Sequence, residues 1–341
     1  MKTLSAHIPR QSVLDGTADF VVNLADLPSL SEDDAREFLD SNVLTSGMEI
    51  LLSHAFARLA GTGTSSGIYK LSESMGGGKT QSMIVAGILA RFPALSSVMP
   101  FREPLANAKP DVVAAFTGRA TDKKVWVSIG DALGITLSPD RAPSETEWRD
   151  VLKDRSALIL LDELAFYLVH AASQGSKEDG TRAATLAGIA LTNLFGAVRD
   201  YKECRKCVIV IADLQKDWEQ GAEELARIMR SNDTLGGTMQ SVNNERSKGA
   251  QTVAPVDNSK DELYAILRRR LFKTMNASAK DVEAVADAYV AELKKASAVI
   301  ERPTMKVREE ILVSYPFHFS TKHLIASFND NPGFQKTREI G

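Results

Sequence analysis

The stretch Glu73-Ser74-Met75-Gly76-Gly77-Gly78-Lys79-Thr80 joins three glycines to a cation and a hydroxyl. Glycines let successive backbone N–H groups turn inward on an anion, a lysine after them reaches the β and γ phosphates of a nucleotide, and a threonine hydroxyl suits Mg2+. Gly76, Gly77, Gly78, Lys79 and Thr80 are thus the candidate residues for binding ATP, and Thr80 is also a candidate ligand of Mg2+. The pattern G-x-x-x-x-G-K-[ST] asks for glycine where this chain has Glu73, which makes the loop a variant. The plainer alternative is a glycine-rich connector whose Lys79 is merely solvated.

Further along, Leu158-Ile159-Leu160-Leu161 runs straight into Asp162-Glu163. A carboxylate at the tip of a buried strand can hold the Mg2+ shell, and the acid after it can orient or deprotonate an attacking water. Asp162 is therefore the candidate metal residue and Glu163 the candidate catalytic base. Adjacent acids after an apolar strand are common, so it is their order after the glycine loop that gives the pair its weight. The next apolar run ends in Ile211-Ala212-Asp213-Leu214-Gln215, where Asp213 or Gln215 could sense a γ-phosphate or simply sit exposed at a turn. Phosphoryl transfer gathers negative charge on the γ-phosphate oxygens, and an arginine from a lid or a neighbouring subunit can offset it. Arg246 and Arg270 are the candidates. Arg268, Arg269 and Arg270 are consecutive on one expected helix and point in three directions, so at most one or two of them can face a nucleotide.

The elements that must hold these residues alternate between strands and helices. Met48, Leu51, Leu52, Ala55, Phe56 and Leu59 recur at helical spacing, and the loop Gly61 to Gly67 stops that helix. Ile68 to Ser72 reads as a strand leading into the glycine turn, and Met83 to Leu89 as the helix that leaves it. Val112 to Phe116 and Cys207 to Ile211 read as buried strands, and Ala157 to Leu161 is the most apolar run of the chain. Continuous rather than alternating apolarity predicts parallel strands buried on both faces. Ser144 and Glu147 have capping-box spacing and open a helix, Leu186 to Ala197 marks a long one, and Lys123 to Leu133 fits either strand or helix. Beyond residue 250 no strand is expected: Leu263, Ile266, Leu267 and Leu271 mark one helix, and Val282, Val285, Ala286, Tyr289 and Leu293 another. The expected fold is an α/β sandwich with a mainly parallel sheet and a second, helical domain. Residues 1–45 show no sustained period and read as an N-terminal extension, 46–250 as the core and 251–341 as the helical domain.

Composition narrows the class. Apolar residues make up 44% and charged residues 25%, the balance of an ordinary globular protein rather than a disordered one. The 41 basic and 44 acidic side chains leave a net charge of −3, which gives no whole-chain sign of nucleic acid or a membrane surface. No run of about 18 apolar residues could span a bilayer, and the start Met1 to His7 is too polar for a signal peptide, so a cytoplasmic protein is expected. Cys204 and Cys207 are the only cysteines, and a structural zinc site wants four ligands. His318 and His323 could be recruited, but Cys207 opens an apolar run, and free buried thiols are the expectation. Lys202, Arg205 and Lys206 read as a solvated face rather than a DNA site.

Five segments in order carry a resemblance to a known family: Gly76 to Thr80, Leu161 to Leu168, Ile266 to Phe272, Ser314-Tyr315-Pro316-Phe317-His318, and Phe334-Gln335-Lys336-Thr337-Arg338. Over nearly its whole length the chain resembles a bacterial AAA-like ATPase family catalogued as domain of unknown function 499. The resemblance implies a three-layer, AAA+-like P-loop NTPase core with a C-terminal helical lid, similar to the initiator-type branch of AAA+ proteins. It assigns Lys79 and Thr80 to the phosphate loop, Asp162 and Glu163 to the metal and water positions, and Arg246 to the arginine that precedes the lid. It also favours a helix for Lys123 to Leu133. Phe319 departs from the family, which has proline after its Tyr-Pro-Phe-His. Family members are longer, which implies the N-terminal ATPase part of a larger protein or a shortened relative. The expected activity is an ATP-hydrolysing motor or switch in an anti-phage or restriction-type system. Its expected partners are ATP, other defence-system proteins, DNA and further copies of the chain, with no membrane. The alternative is a nucleotide-binding scaffold that barely hydrolyses ATP. A small-molecule kinase would need an acceptor site that no residues define.

Overall fold

The computed structural model describes residues 4–16, 22–63, 65–72, 78–99, 101, 108–119, 122–212, 233–256, 262–295 and 304–329. Its strands are β1 (Ile8–Pro9), β2 (Ile68–Leu71), β3 (Val112–Thr117), β4 (Ala157–Asp162), β5 (Cys207–Ala212), β6 (Gln251–Val253) and β7 (Phe272–Thr274). Two compact units divide the chain: Val21–Asp40 with Leu44–Val256, and Met1–Phe20 with Ser41–Val43 and Asp257–Gly341.

The larger unit is α/β, built on a five-stranded sheet in the order β3-β4-β5-β2-β6 in which every pairing is parallel. β4 and β5 are buried at all six positions each, as their unbroken apolar runs require of strands covered on both sides. Alternate residues feed two separate cores: Ile159, Leu161, Ile209 and Ile211 enter one, and Leu158, Leu160, Val208 and Val210 the other. Helices Ser46–Leu59 and Lys79–Arg91 cover the second face, while Val125–Ala132, Glu145–Leu152, Leu164–Ser173, Lys177–Asp200 and Asp233–Ser247 cover the first. The chain leaves β2 in one direction to reach β3 at the sheet edge, then returns strand by strand through β4 to β5. A right-handed crossover that reverses direction must change face, which is why the helix after β2 lies opposite to those after β3 and β4.

Several local expectations meet their structures. The capping box is present, with Glu147 N–H donating to Ser144 Oγ and Ser144 N–H to the Glu147 carboxylate. The segment open to strand or helix is helical over Val125–Ala132, where Trp126 is wholly buried and donates its indole N–H to Ser138 O. Cys204 and Cys207 are free and buried.

Other expectations change. Residues 1–45 are not one extension. Leu24, Leu27 and Leu30 sit in the α/β core at the three-residue spacing of a 3-10 turn, and Ala35, Phe38 and Leu39 follow on helix Glu32–Asp40. The run is too short, and its turn period too unlike 3.6, to show as a sustained pattern. Nor do strands end at residue 250. β6 lies beside β2, with Leu71 opposite Val253, so the α/β unit reaches Val256. β7 pairs antiparallel with β1 in the other unit. Strands of two or three residues are too short for apolar periodicity to reveal.

Among its described residues the second unit is mainly helical, with Glu262–Leu271, Ala279–Lys295, Thr304–Ser314 and Thr321–Asn329. The chain's first residues belong to it. Beside the β1–β7 pairing, Arg10 donates Nε to Arg269 O and its backbone N–H to Leu271 O. His7 is buried: its Nδ1 accepts from Asn276 N–H at 3.1 Å, so its proton sits on Nε2, which faces Tyr315 Oη at 3.0 Å.

Candidate functional site

The register of the sheet brings the ends of its strands to one edge. Thr117 at the end of β3 lies opposite Asp162 at the end of β4, Leu161 opposite Ile211, and Ala212 at the end of β5 opposite Leu71. The helix after β2 and the helices of the β3–β4–β5 return lie on opposite faces, so the topological switch point falls at this edge between β2 and β5. In open α/β sheets that switch point, beyond the carboxyl ends of the strands, is where ligands bind.

Gly78 closes the glycine run with φ 80°, a left-handed conformation that glycine adopts without strain, and caps helix Lys79–Arg91. Its carbonyl accepts from both Ser82 N–H and Ser82 Oγ, each at 2.9 Å, which fixes the first turn. Lys79 and Thr80 open the helix, at the end where exposed N–H groups and the macrodipole favour an anion. Thr80 Oγ1 donates to Asp162 Oδ2 at 2.5 Å, across the tip of the intervening β5. That length is typical of a hydroxyl on an ionised carboxylate. Asp162 is 4% exposed, and its other oxygen accepts from Glu163 N–H at 2.9 Å.

Glu163 is held from its own backbone outward. Its φ of 52° places a non-glycine residue in the left-handed region, a conformation costing on the order of 1–3 kcal/mol that persists where surroundings enforce it. The enforcing element is the chain leaving β3. Gly118 N–H donates to Asp162 O, and a Cβ built on Gly118 would stand 1.9 Å from Glu163 O, so only glycine fits there. Helix Leu164–Ser173 begins directly after Glu163 and aims it from the strand tip. Its Oε2 accepts from Thr117 Oγ1 at 2.9 Å and its Oε1 pairs with Arg119 Nε at 2.8 Å. The Arg119 guanidinium also lies over the Phe166 ring, 5.4 Å from its centroid.

The structure thus brings together Thr80, Asp162 and Glu163, with Lys79 heading the same helix as Thr80. Gly76, Gly77, Asp213 and Gln215 lie outside the described residues. Arg246 stands within the α/β unit, fully buried on helix Asp233–Ser247, with Nη1 donating to Ala212 O at 3.1 Å and Nη2 to Asn243. Its guanidinium is thus enclosed at the tip of β5. Arg270 is half-buried on helix Glu262–Leu271 of the other unit. Its neighbour Arg268 donates to Val313 O and Tyr315 O, and burial lowers the pKa of that guanidinium.

Thr117, Gly118 and Arg119 were not singled out from the sequence. Their signal, two polar residues flanking a glycine after an apolar strand, gains meaning only when β3 is known to lie beside β4. Cys204 and Cys207 take no part: burial pushes their thiols up to about 11 and about 12, which keeps them protonated and unreactive. No protein-family model matches the chain, and no curated protein matches it. Among the described residues no helix is long and apolar enough to cross a membrane.

Proposed function

We propose that the chain is an ATPase of P-loop type, AAA+-like, which binds ATP and Mg2+ at the start of helix Lys79–Arg91 and hydrolyses the γ-phosphate with Glu163 as base. The observation that carries the reading is the 2.5 Å contact of Thr80 Oγ1 with Asp162 Oδ2. Two residues far apart in sequence place a hydroxyl and a carboxylate side by side at the strand ends beside the switch point of the sheet. Adjacent oxygens in an octahedral shell with bonds of about 2.1 Å stand roughly 3 Å apart, so this pair fits the coordination of Mg2+ with little rearrangement. Thr80 and Asp162 would hold the cation, which would offset the charge that develops on the phosphates. Lys79 reaches the terminal phosphates, the helix N-terminus receives them, and Glu163 lies one residue beyond the metal carboxylate, placed to orient water. A cytoplasmic motor or switch in an anti-phage or restriction-type system, acting on DNA with partner proteins and as a homo-oligomer, is the role that the resemblance to domain of unknown function 499 supports.

One observation favours a second reading, a nucleotide-binding scaffold with little turnover: both carboxylate oxygens of Glu163 are engaged, by Thr117 and Arg119. Glu163→Gln separates the two. An ATPase loses turnover and keeps nucleotide affinity, whereas a scaffold shows no turnover to lose and binds as before.

A further inference from the structure

The charge that offsets the γ-phosphate was expected from Arg246 or Arg270, yet the arginine that the structure sets against the site carboxylate is Arg119. It lies two residues past the end of β3, and its side chain is 72% exposed against 26% for Glu163. Its guanidinium gives only Nε to Glu163 Oε1. Among the described residues its terminal nitrogens form no hydrogen bond, and its other contact is the Phe166 ring. A planar fork with two unused donor groups is suited to take an anionic oxygen pair.

The geometry points to Arg119 as a γ-phosphate contact that changes partner: it holds Glu163 in the empty site and moves to the terminal phosphate when a triphosphate binds. This rests on the reading of the site as one for nucleotide. The contacts form a chain from Thr80 to Asp162, from Asp162 to Glu163 and from Glu163 to Arg119, so the guanidinium stands one side chain away from the metal carboxylate. An exposed ion pair such as Arg119–Glu163 is worth less than about fivefold in an equilibrium constant. A terminal phosphate offers the same guanidinium more charge and a bidentate contact in place of a single Nε bond, so the exchange runs toward the triphosphate. Two consequences follow together. Glu163 loses its cation but keeps the Thr117 hydroxyl on Oε2, which leaves Oε1 open to a water. A diphosphate offers no γ oxygens, so Arg119 returns to Glu163 and the base is occupied again.

The test is equilibrium binding of Mg·AMP-PNP and Mg·ADP to the full chain in wild type, Arg119→Ala, Arg119→Lys and Lys79→Ala. Arg119→Ala should weaken AMP-PNP about tenfold and leave ADP within about twofold, with Arg119→Lys recovering part of the difference. An unchanged AMP-PNP to ADP ratio in Arg119→Ala, with both ligands still weakened by Lys79→Ala, overturns the role of Arg119 alone. Wild type that binds neither nucleotide, or that is indifferent to Lys79→Ala, overturns the nucleotide site and this inference with it. Thermal melting of each variant checks the fold, and the exposed Arg119→Lys change keeps the comparison readable should alanine disturb the loop.

Discussion

Replacing Thr80 by valine removes one hydroxyl and keeps the shape of the side chain, so its effects report the Thr80–Asp162 contact. In the empty protein Asp162 would keep the Glu163 N–H bond and lose its 2.5 Å donor in a place 4% exposed to solvent. A hydrogen bond to a charged group is worth about 1.5–3 kcal/mol, and the low exposure leaves little water to replace it. For a unit of this size, about 2 kcal/mol lowers the melting temperature by roughly 4–8 °C. A second effect concerns ligand. Mg·ATP at a hundred times its Kd adds about 2.7 kcal/mol of stability, and on the proposed metal site Thr80→Val should lose most of that gain, because one ligand oxygen would be gone. Thr80→Ser should restore both. Thermal denaturation with and without Mg·ATP, kept short to limit turnover, reads the two effects at once. A Thr80→Val protein that melts like wild type and gains as much from Mg·ATP would refute the reasoning from contact to metal site.

Gly118→Ala should be disproportionately harmful for one added methyl. A Cβ there meets Glu163 O at 1.9 Å, so the tips of β3 and β4 must part, and urea unfolding should show a loss of about 2 kcal/mol or more along with impaired turnover. His7→Ala should loosen the helical unit by about 2 kcal/mol through the lost bonds to Asn276 and Tyr315, seen as faster proteolysis of that unit while the α/β unit resists as before. The cysteines give a pH signature. Both thiols have pKa values raised by burial, from 9.0 to about 11 for Cys204 and about 12 for Cys207. The unfolded chain therefore releases these protons first, and their contribution to stability is full below pH 9 and lost as pH rises toward 12. Iodoacetamide at pH 8 should label neither thiol until the protein is unfolded, and prompt labelling in the native state would contradict their burial.

The parts of the site that the sequence made legible are those whose chemistry is local. Three glycines before a lysine and a threonine raise the expectation of a phosphate-binding turn by composition alone, and an apolar run that ends in Asp162-Glu163 states a buried strand with acids at its tip. What composition cannot state is strand order. That β5 lies between β2 and β4, so that Thr80 meets Asp162 across its tip, follows from pairings between distant segments. The same holds for Thr117 and Arg119, whose contact with Glu163 exists only because β3 ends in register with β4. Length decided the other cases. β6, three residues long, and the 3-10 turn with Leu24, Leu27 and Leu30 are too brief to set up a period, although both pack onto the α/β unit. Arg246 illustrates a limit of a different kind, since an arginine and its place in the order of segments reveal nothing of its burial against Ala212.

The central claim is that Lys79, Thr80, Asp162 and Glu163 form one nucleotide site, and ATP turnover by the purified chain tests it most directly, wild type against Lys79→Ala, with Mg2+ and with and without duplex DNA. Loss of a cation placed on the terminal phosphates should lower turnover by about a hundredfold or more. Equal turnover in the two proteins would contradict the account.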